Sequence, residues 1–423
     1  MAERVKFLVL SVSTLIVAYA LVGGLLPQVV GQEETYQDLS LFSAVLDHVR
    51  RDYVEEPDLN ESLRGAIEGM VEALDPYAGF VAAEVYRELQ EAGQGDVGLI
   101  VSKRYGYAYV VAVTPGSPAE KIGLRTGDLL EAVEGRSTAL MSAWEVQRRL
   151  RGPEGSEVAL KVIRARRSEP QEVSLTRCRI EPRPPEGKLL EEDIGMLRIP
   201  SFHKGTAAEA EKAIRDLLER GAKALLIDLR STAVGSLEEA VHLADAFLPA
   251  GATIVELRGK GGERKVLSSS RSPLVEEIPV AILIDGGTSG PAEVFAAALR
   301  DHGAATLIGE RTDGRGVVVR ERTLHDGSLL MLPVEVLVRP SGELISAKEL
   351  RKAGLEPDVE IPGRDFVSNF YFDHIDDESG DELSDEFYAE LDAAVKGEQL
   401  REAMSLLREK IENQQGESLK QAA

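Results

Sequence analysis

The sequence predicts a multidomain protein of α/β and α+β character, built around one α/β layer with parallel strand pairing. Three observations predict it. Between residues 194 and 302, short apolar runs alternate with helical segments, the pattern of strands joined by crossover helices. Between residues 96 and 179 the period shortens to β-rich runs separated by Gly and Pro turns. Towards both termini apolar residues recur at helical spacing.

The chain has 423 residues, 43% of them hydrophobic, enough for two or three domains with cores of their own. A formal charge of -23 repels phosphate backbones and argues against nucleic-acid binding. Much of that acidity lies in the C-terminal tail. The single cysteine, Cys178, excludes an intramolecular disulfide and any zinc site built from several cysteines. The six histidines form no spacing motif. Neither a metal nor a cofactor is expected.

Residues 7–26 are an almost unbroken apolar run behind Arg4 and Lys6, long enough to cross a bilayer with the basic flank inside. Two readings fit residues 1–31: an uncleaved anchor, favoured by the length of the run, or a signal peptide cut near Val29-Val30-Gly31. Both export the rest of the chain, to the periplasm or the cell exterior. Residues 32–94 form a helical region, with helices over 39–54, 59–74 and 82–91, the second stopped by Asp75-Pro76-Tyr77. The β-rich domain spans 95–180 and includes one helix near Trp144, which reads as a core aromatic.

A Pro-rich connector, 181–186, leads into the α/β core, 181–362. Strands are expected at 194–199, 224–229, 253–257 and 280–284, helices at 207–220, 237–247 and 292–302. The stretch 280–316 organises the rest: a buried strand, the small-residue turn Asp285-Gly286-Gly287, and a helix start. Backbone N–H groups and a helix dipole converge at such a turn, so chemistry is expected there. Residues 363–423 are an acidic linker and a charged amphipathic helix, 387–413, with Leu391, Ala394, Leu400, Met404, Leu407 and Ile411 as its apolar stripe. Docking, self-association into a homo-oligomer, and a solvated helix are all compatible with that stripe.

Specific motifs carry a resemblance. Gly116-Ser117-Pro118-Ala119, Gly123-Leu124, Gly127-Asp128 and Val133-Glu134-Gly135 look like a PDZ domain of the bacterial protease type. Together with Leu74-Asp75-Pro76-Tyr77, Arg151-Gly152, Asp228-Leu229-Arg230, Glu293, Asp301-His302-Gly303, Gly309-Glu310 and Pro357-Asp358, the chain over 39–361 resembles the carboxyl-terminal-processing (tail-specific) serine peptidases. The resemblance implies a ClpP/crotonase-like α/β core, recognition of protein C-termini by the PDZ domain, and a Ser–Lys dyad supported by Gln. A ligand's carboxylate would rest on the loop Val97, Gly98, Leu99 and Ile100.

Carried over position by position, the catalytic set is missing. The nucleophile's place is Gly290, and the Lys of the family's Phe-Gly-Lys-Gly falls on Arg315 of Asp313-Gly314-Arg315-Gly316. A guanidinium stays protonated and cannot act as base. The Gln position is Val319. The oxyanion region reads Val234-Gly235 on one side and Pro291, which lacks an N–H, on the other. These positions point to a pseudopeptidase that binds C-termini or a partner peptidase. Two alternatives remain open: an active endopeptidase with Ser289 as relocated nucleophile and Lys260, Lys265 or His302 as base, or a non-enzymatic oligomeric scaffold.

Overall fold

The structure, a computed structural model, describes residues 40–90, 93–104, 106–164, 170–346, 353–361 and 385–422. The apolar segment 7–26 lies outside them, as does the linker 363–384. No helix among the described residues is long and apolar enough to cross a membrane.

The chain divides into two units, Met1–Ile67 and Glu68–Ala423. In the first, helix α1 (40–52) leaves Leu41, Phe42 and Val45 exposed. Helix α2 (Leu59–Glu72) starts there because Asp58 Oδ1 accepts the N–H groups of Asn60 at 2.9 Å and Glu61 at 3.1 Å, an N-cap.

The second unit continues with β1 (Gly79–Val81) and α3 (Ala83–Gln90). The β-rich domain follows: β2 (Leu99–Arg104), β3 (Tyr107–Val113), α4 (Pro118–Lys121), β4 (Leu129–Val133), β5 (Arg136–Ser137), α5 (Ala143–Arg149), β6 (Glu157–Ile163) and β7 (Gln171–Thr176). Its antiparallel sheet runs β2-β3-β4-β6-β7, with β5 beside β4, so β2 is an edge. Ser142 starts α5 by accepting the N–H of Glu145 at 3.2 Å. Val146 and Leu150 then drop into a core with Leu99, Leu130 and Leu160.

The core domain comprises β8 (Glu186–Leu189), β9 (Ile194–Arg198), α6 (Thr206–Glu219), β10 (Ala224–Asp228), α7 (Leu237–Ala244), β11 (Thr253–Gly259), β12 (Arg264–Ser268), β13 (Val280–Ile284), α8 (Pro291–Asp301), β14 (Thr306–Gly309), β15 (Val317–Thr323), β16 (Leu329–Val338), β17 (Val359–Glu360) and α9 (Asp385–Ala422). One sheet has the order β17-β14-β13-β10-β9-β8, parallel except for β8. β10 and β13 are buried at every position, as strands covered on both faces must be. Leu225, Ile227, Ile282 and Ile284 point to α6, α7 and α8; Ala224, Leu226, Ala281 and Leu283 point to the other face.

One sequence expectation changes, and one choice left open by the sequence is narrowed. The strand at 253–257 does not join the parallel layer: β11 pairs antiparallel with β12 and β16 in a second sheet that also holds β1 and β15. Its alternating burial suits a sheet with one wet face, unlike the unbroken burial of β10. The C-terminal stripe is spent within the chain. Ala403 and Leu407 are fully buried against the parallel sheet, with Leu400, Met404 and Ile411 beside them, while Ala394 stays exposed. Burying a leucine side chain in this way contributes about 2 kcal/mol, so α9 closes the second face with the part of the stripe from Leu400 to Ile411.

Candidate functional site

The turn after β13 is tied to the end of β10. The Asp285 carboxylate accepts Ser231 N–H at 2.7 Å and Gly287 N–H at 3.0 Å, and Thr288 Oγ1 donates to Leu229 C=O at 2.9 Å. Ser289 N–H donates to Thr232 C=O at 3.0 Å. A side chain at Gly287 would come within 2.9 Å of Ser231 Cα, so the close approach of the two turns requires glycine.

Gly290 follows with φ 60° and ψ -114°, a strained conformation for any residue with a side chain. Pro291 then opens α8, where its missing N–H costs the helix nothing. Gly290 is buried, yet a Cβ built on it meets no atom within 4 Å. The turn still has the shape and the room to present a side chain, and carries none.

Around it lies a buried polar network. The Ser289 hydroxyl, 1% exposed, donates to Asp313 Oδ2 at 2.7 Å. The other oxygen of Asp313 accepts the hydroxyl of Tyr109, from β3 of the β-rich domain. Burial, and then the Asp313 charge, push the Tyr109 phenol well above its ordinary range. Tyr77 OH donates to Gly314 C=O at 3.3 Å, and its phenol is raised for the same two reasons.

Glu293, in the first turn of α8, is completely buried. Its carboxyl accepts the N–H groups of Gly290 at 2.8 Å, Gly314 at 2.7 Å and Arg315 at 2.9 Å, and is bonded to Thr312 Oγ1. Burial and then the neighbouring Asp313 charge raise it to about 8, against those hydrogen bonds. Glu293 thus clamps the Gly290 turn to the 312–315 segment.

Among the other predicted residues, Arg315 is exposed and its guanidinium has no hydrogen bond or ion pair among the described residues. Val319, on β15, packs against the cluster of Val81, Leu329 and Met331. Val234 C=O accepts Phe202 N–H at 2.7 Å, and Gly235 lies so close to Phe202 that a Cβ would meet its carbonyl oxygen at 2.2 Å. Lys260, Lys265 and His302 make no hydrogen bond to Ser289; His302 Nε2 bonds Thr253 C=O at 2.7 Å, and both lysines are exposed. Ser289 lies in the turn before α8, whose N-cap is Gly290. In the 97–100 loop, Gly98 N–H is already held by Asp96 Oδ1 at 2.8 Å.

Three cavities surround these residues. The largest, 830 Å³, runs between α4, the Asp228–Ser231 turn and α9. Its Arg230 forms a two-pronged pair with Asp228, at 2.9 and 2.8 Å, and reaches Lys396 C=O and Gln399 on α9. Burial alone would raise Asp228; the hydrogen bonds and charges of Arg230 and Arg198 hold it below its ordinary value. A second cavity, 420 Å³, joins the Gly98–Ile100 loop to Ser231 and Val234. A third, 330 Å³, joins Ile100–Ser102 and Trp144 to Arg315 and Val319. Gly290 lines none of the three.

Comparison with known proteins places this arrangement. Residues 193–361 match the model of peptidase family S41, and residues 109–164 match a PDZ domain. The "Probable CtpA-like serine protease" of Staphylococcus aureus (strain COL) is 32% identical over 353 residues, 82% of this chain and 69% of that protein. The chain belongs to peptidase family S41. Within the family, the carboxy-terminal processing protease CtpA of Bacillus subtilis (strain 168) is 31% identical over 331 residues, 77% of this chain and 70% of that one. The photosystem II D1 C-terminal processing protease shares the structure with a TM-score of 0.64 and 26% identity, over 76% of this chain and 88% of that one.

This S41 chain thus has the family's PDZ domain on a peptidase-type core. Sequence reasoning singled out the turn and the positions Gly290, Pro291, Arg315 and Val319, but missed their neighbours. Asp313 stands beside Gly314, where the resemblance implies a Phe. An acidic residue in a core motif signals a buried partner, and Tyr109 and Ser289 are those partners. Tyr109 lies 204 positions away in the chain, and no local pattern could have joined them.

Proposed function

We propose that this protein is an exported, membrane-anchored member of the S41 carboxyl-terminal-processing peptidases that binds protein C-termini through its PDZ domain and does not cut them. The observation that carries this reading is the turn at Gly290: strained, buried and open to a side chain, but holding glycine at the position the resemblance assigns to the nucleophile. Three features support it. Pro291 has no N–H to offer an oxyanion. Arg315 supplies a permanent cation where a base is needed. The remaining hydroxyl, Ser289, already donates its proton to Asp313 and is buried.

Its partners in this reading are protein C-termini, including that of a peptidase acting beside it. The test is a titration of the purified full-length chain with labelled peptides, each with a free or an amidated C-terminus, followed by mass analysis of the peptide. Binding that depends on the free carboxylate, with the peptide recovered whole, is the expected outcome. Equal binding of the amidated forms would remove the C-terminus from the proposal; recovery of cleaved peptide would remove the loss of catalysis.

A further inference from the structure

The edge strand of the PDZ domain is not empty. Gln147, on α5, donates from its carboxamide nitrogen to Leu99 C=O at 2.8 Å and accepts Val101 N–H on its carboxamide oxygen at 3.1 Å. The β2–β3 register shifts between Ile100 and Val101, and Leu99 C=O and Val101 N–H are bonded to α5 at the open edge of β2. An added peptide strand would use these same two groups, one acceptor and one donor. The side chain therefore supplies to the edge what a ligand backbone would supply.

Gln147 also lines one half of the groove. The 420 Å³ cavity contains the loop end, Gly98, Leu99 and Ile100; the 330 Å³ cavity contains Ile100, Val101 and Ser102 with Gln147 itself in the wall. Ile100 lines both. The amide spans from Leu99 to Val101, the residues on either side of Ile100.

We propose that Gln147 is a built-in competitor for the peptide groove: an extended peptide with a free C-terminal carboxylate joins β2 only by displacing this amide, and Gln147 thereby sets the affinity of the PDZ domain. The inference rests on the C-terminus-binding reading above and adds its regulation. With the carboxylate at the Gly98 end, the upstream peptide runs antiparallel to β2 into the cavity that holds Trp144, Arg315 and Val319. Displacement leaves Leu99 C=O and Val101 N–H for the peptide, so the exchange is nearly even in hydrogen bonds. A ligand must therefore recover the cost of moving the side chain from its other contacts.

The test compares the wild-type full-length chain with Gln147→Met, which keeps the length of the side chain and removes both hydrogen bonds, and with Gln147→Ala. Short synthetic peptides ending in two apolar residues, free or amidated at the C-terminus, are titrated by fluorescence anisotropy. Hydrogen exchange of the Val101 amide, read without peptide, reports the internal bond directly. Losing two neutral hydrogen bonds from the free state predicts binding tighter by about tenfold in both variants, faster exchange at Val101, and renewed protection once peptide is added. Equal affinity in wild type and both variants would overturn the competitor role while leaving C-terminus binding intact. No binding by any of the three proteins would overturn both. Slow Val101 exchange in a folded Gln147→Met variant would also overturn it, because the strand edge would then be protected by something other than Gln147.

Discussion

Ser289 Oγ donates to Asp313 Oδ2 at 2.7 Å, and the same carboxylate accepts the phenol of Tyr109 from the PDZ domain. One buried acid thus joins the serine of the turn to the neighbouring domain. Removing the acid strands two buried hydroxyls, while removing the serine leaves Asp313 one partner. Asp313→Ala is expected to destabilise the protein by about 2–4 kcal/mol and Ser289→Ala by about 1 kcal/mol. Denaturant unfolding checks the order; a larger effect from Ser289→Ala would contradict the network.

Glu293 makes stability depend on pH. Its folded-state pKa, about 8, lies above the ordinary 4.5, so the folded protein binds the proton more tightly than the unfolded chain. That contribution is whole below about pH 4.5 and is lost as pH climbs through 8. Wild type should lose unfolding free energy between those limits, by an amount on the order of a few kcal/mol, with a falling melting temperature as the readout. Glu293→Gln should flatten that slope, and an unchanged slope in the variant would assign it elsewhere.

Arg230 pins α9 to the core through Lys396 C=O and Gln399. Arg230→Ala also leaves the buried Asp228 with Arg198 alone as its ionic partner, which costs about 3–5 kcal/mol. Gln399→Ala removes one hydrogen bond and costs about 1 kcal/mol. Hydrogen exchange over residues 393–411 should rise strongly in the first variant and slightly in the second.

Gly290→Ser tests the vacant turn. The added atoms find open space, but φ of 60° is unfavourable for serine, so the variant should fold with a loss of about 1–3 kcal/mol. Alone it should not cleave peptide, since Arg315 provides no base. Adding Pro291→Ala, Arg315→Lys and Val319→Gln restores an oxyanion N–H, a base and its support, and this combination is the one expected to show measurable hydrolysis.

Much of the architecture was legible because it rests on local pattern. The apolar run of β13 ends at residue 284, as periodicity and the Asp285-Gly286-Gly287 turn require. Pro291, by its missing N–H, and Ser142, by its hydroxyl, mark helix starts through local chemistry. The fate of β11 was not legible, because a half-buried strand of seven residues fits either sheet and pairing partners decide. The α9 stripe shows that an apolar face needs a cover without showing which surface provides it. At the site, the sequence shows Gly290, Arg315 and Val319 where the resemblance implies Ser, Lys and Gln. The roles of Ser289 and Gln147 could not be read from it, since each depends on a partner 24 or more positions away.

The most direct test of the central claim is prolonged incubation of the purified full-length chain with an unfolded protein bearing a free C-terminus, analysed by mass spectrometry beside the Ser289→Ala variant. The account predicts an intact C-terminus in both samples, no different from buffer. Truncated products made by the wild type and absent with Ser289→Ala would contradict it.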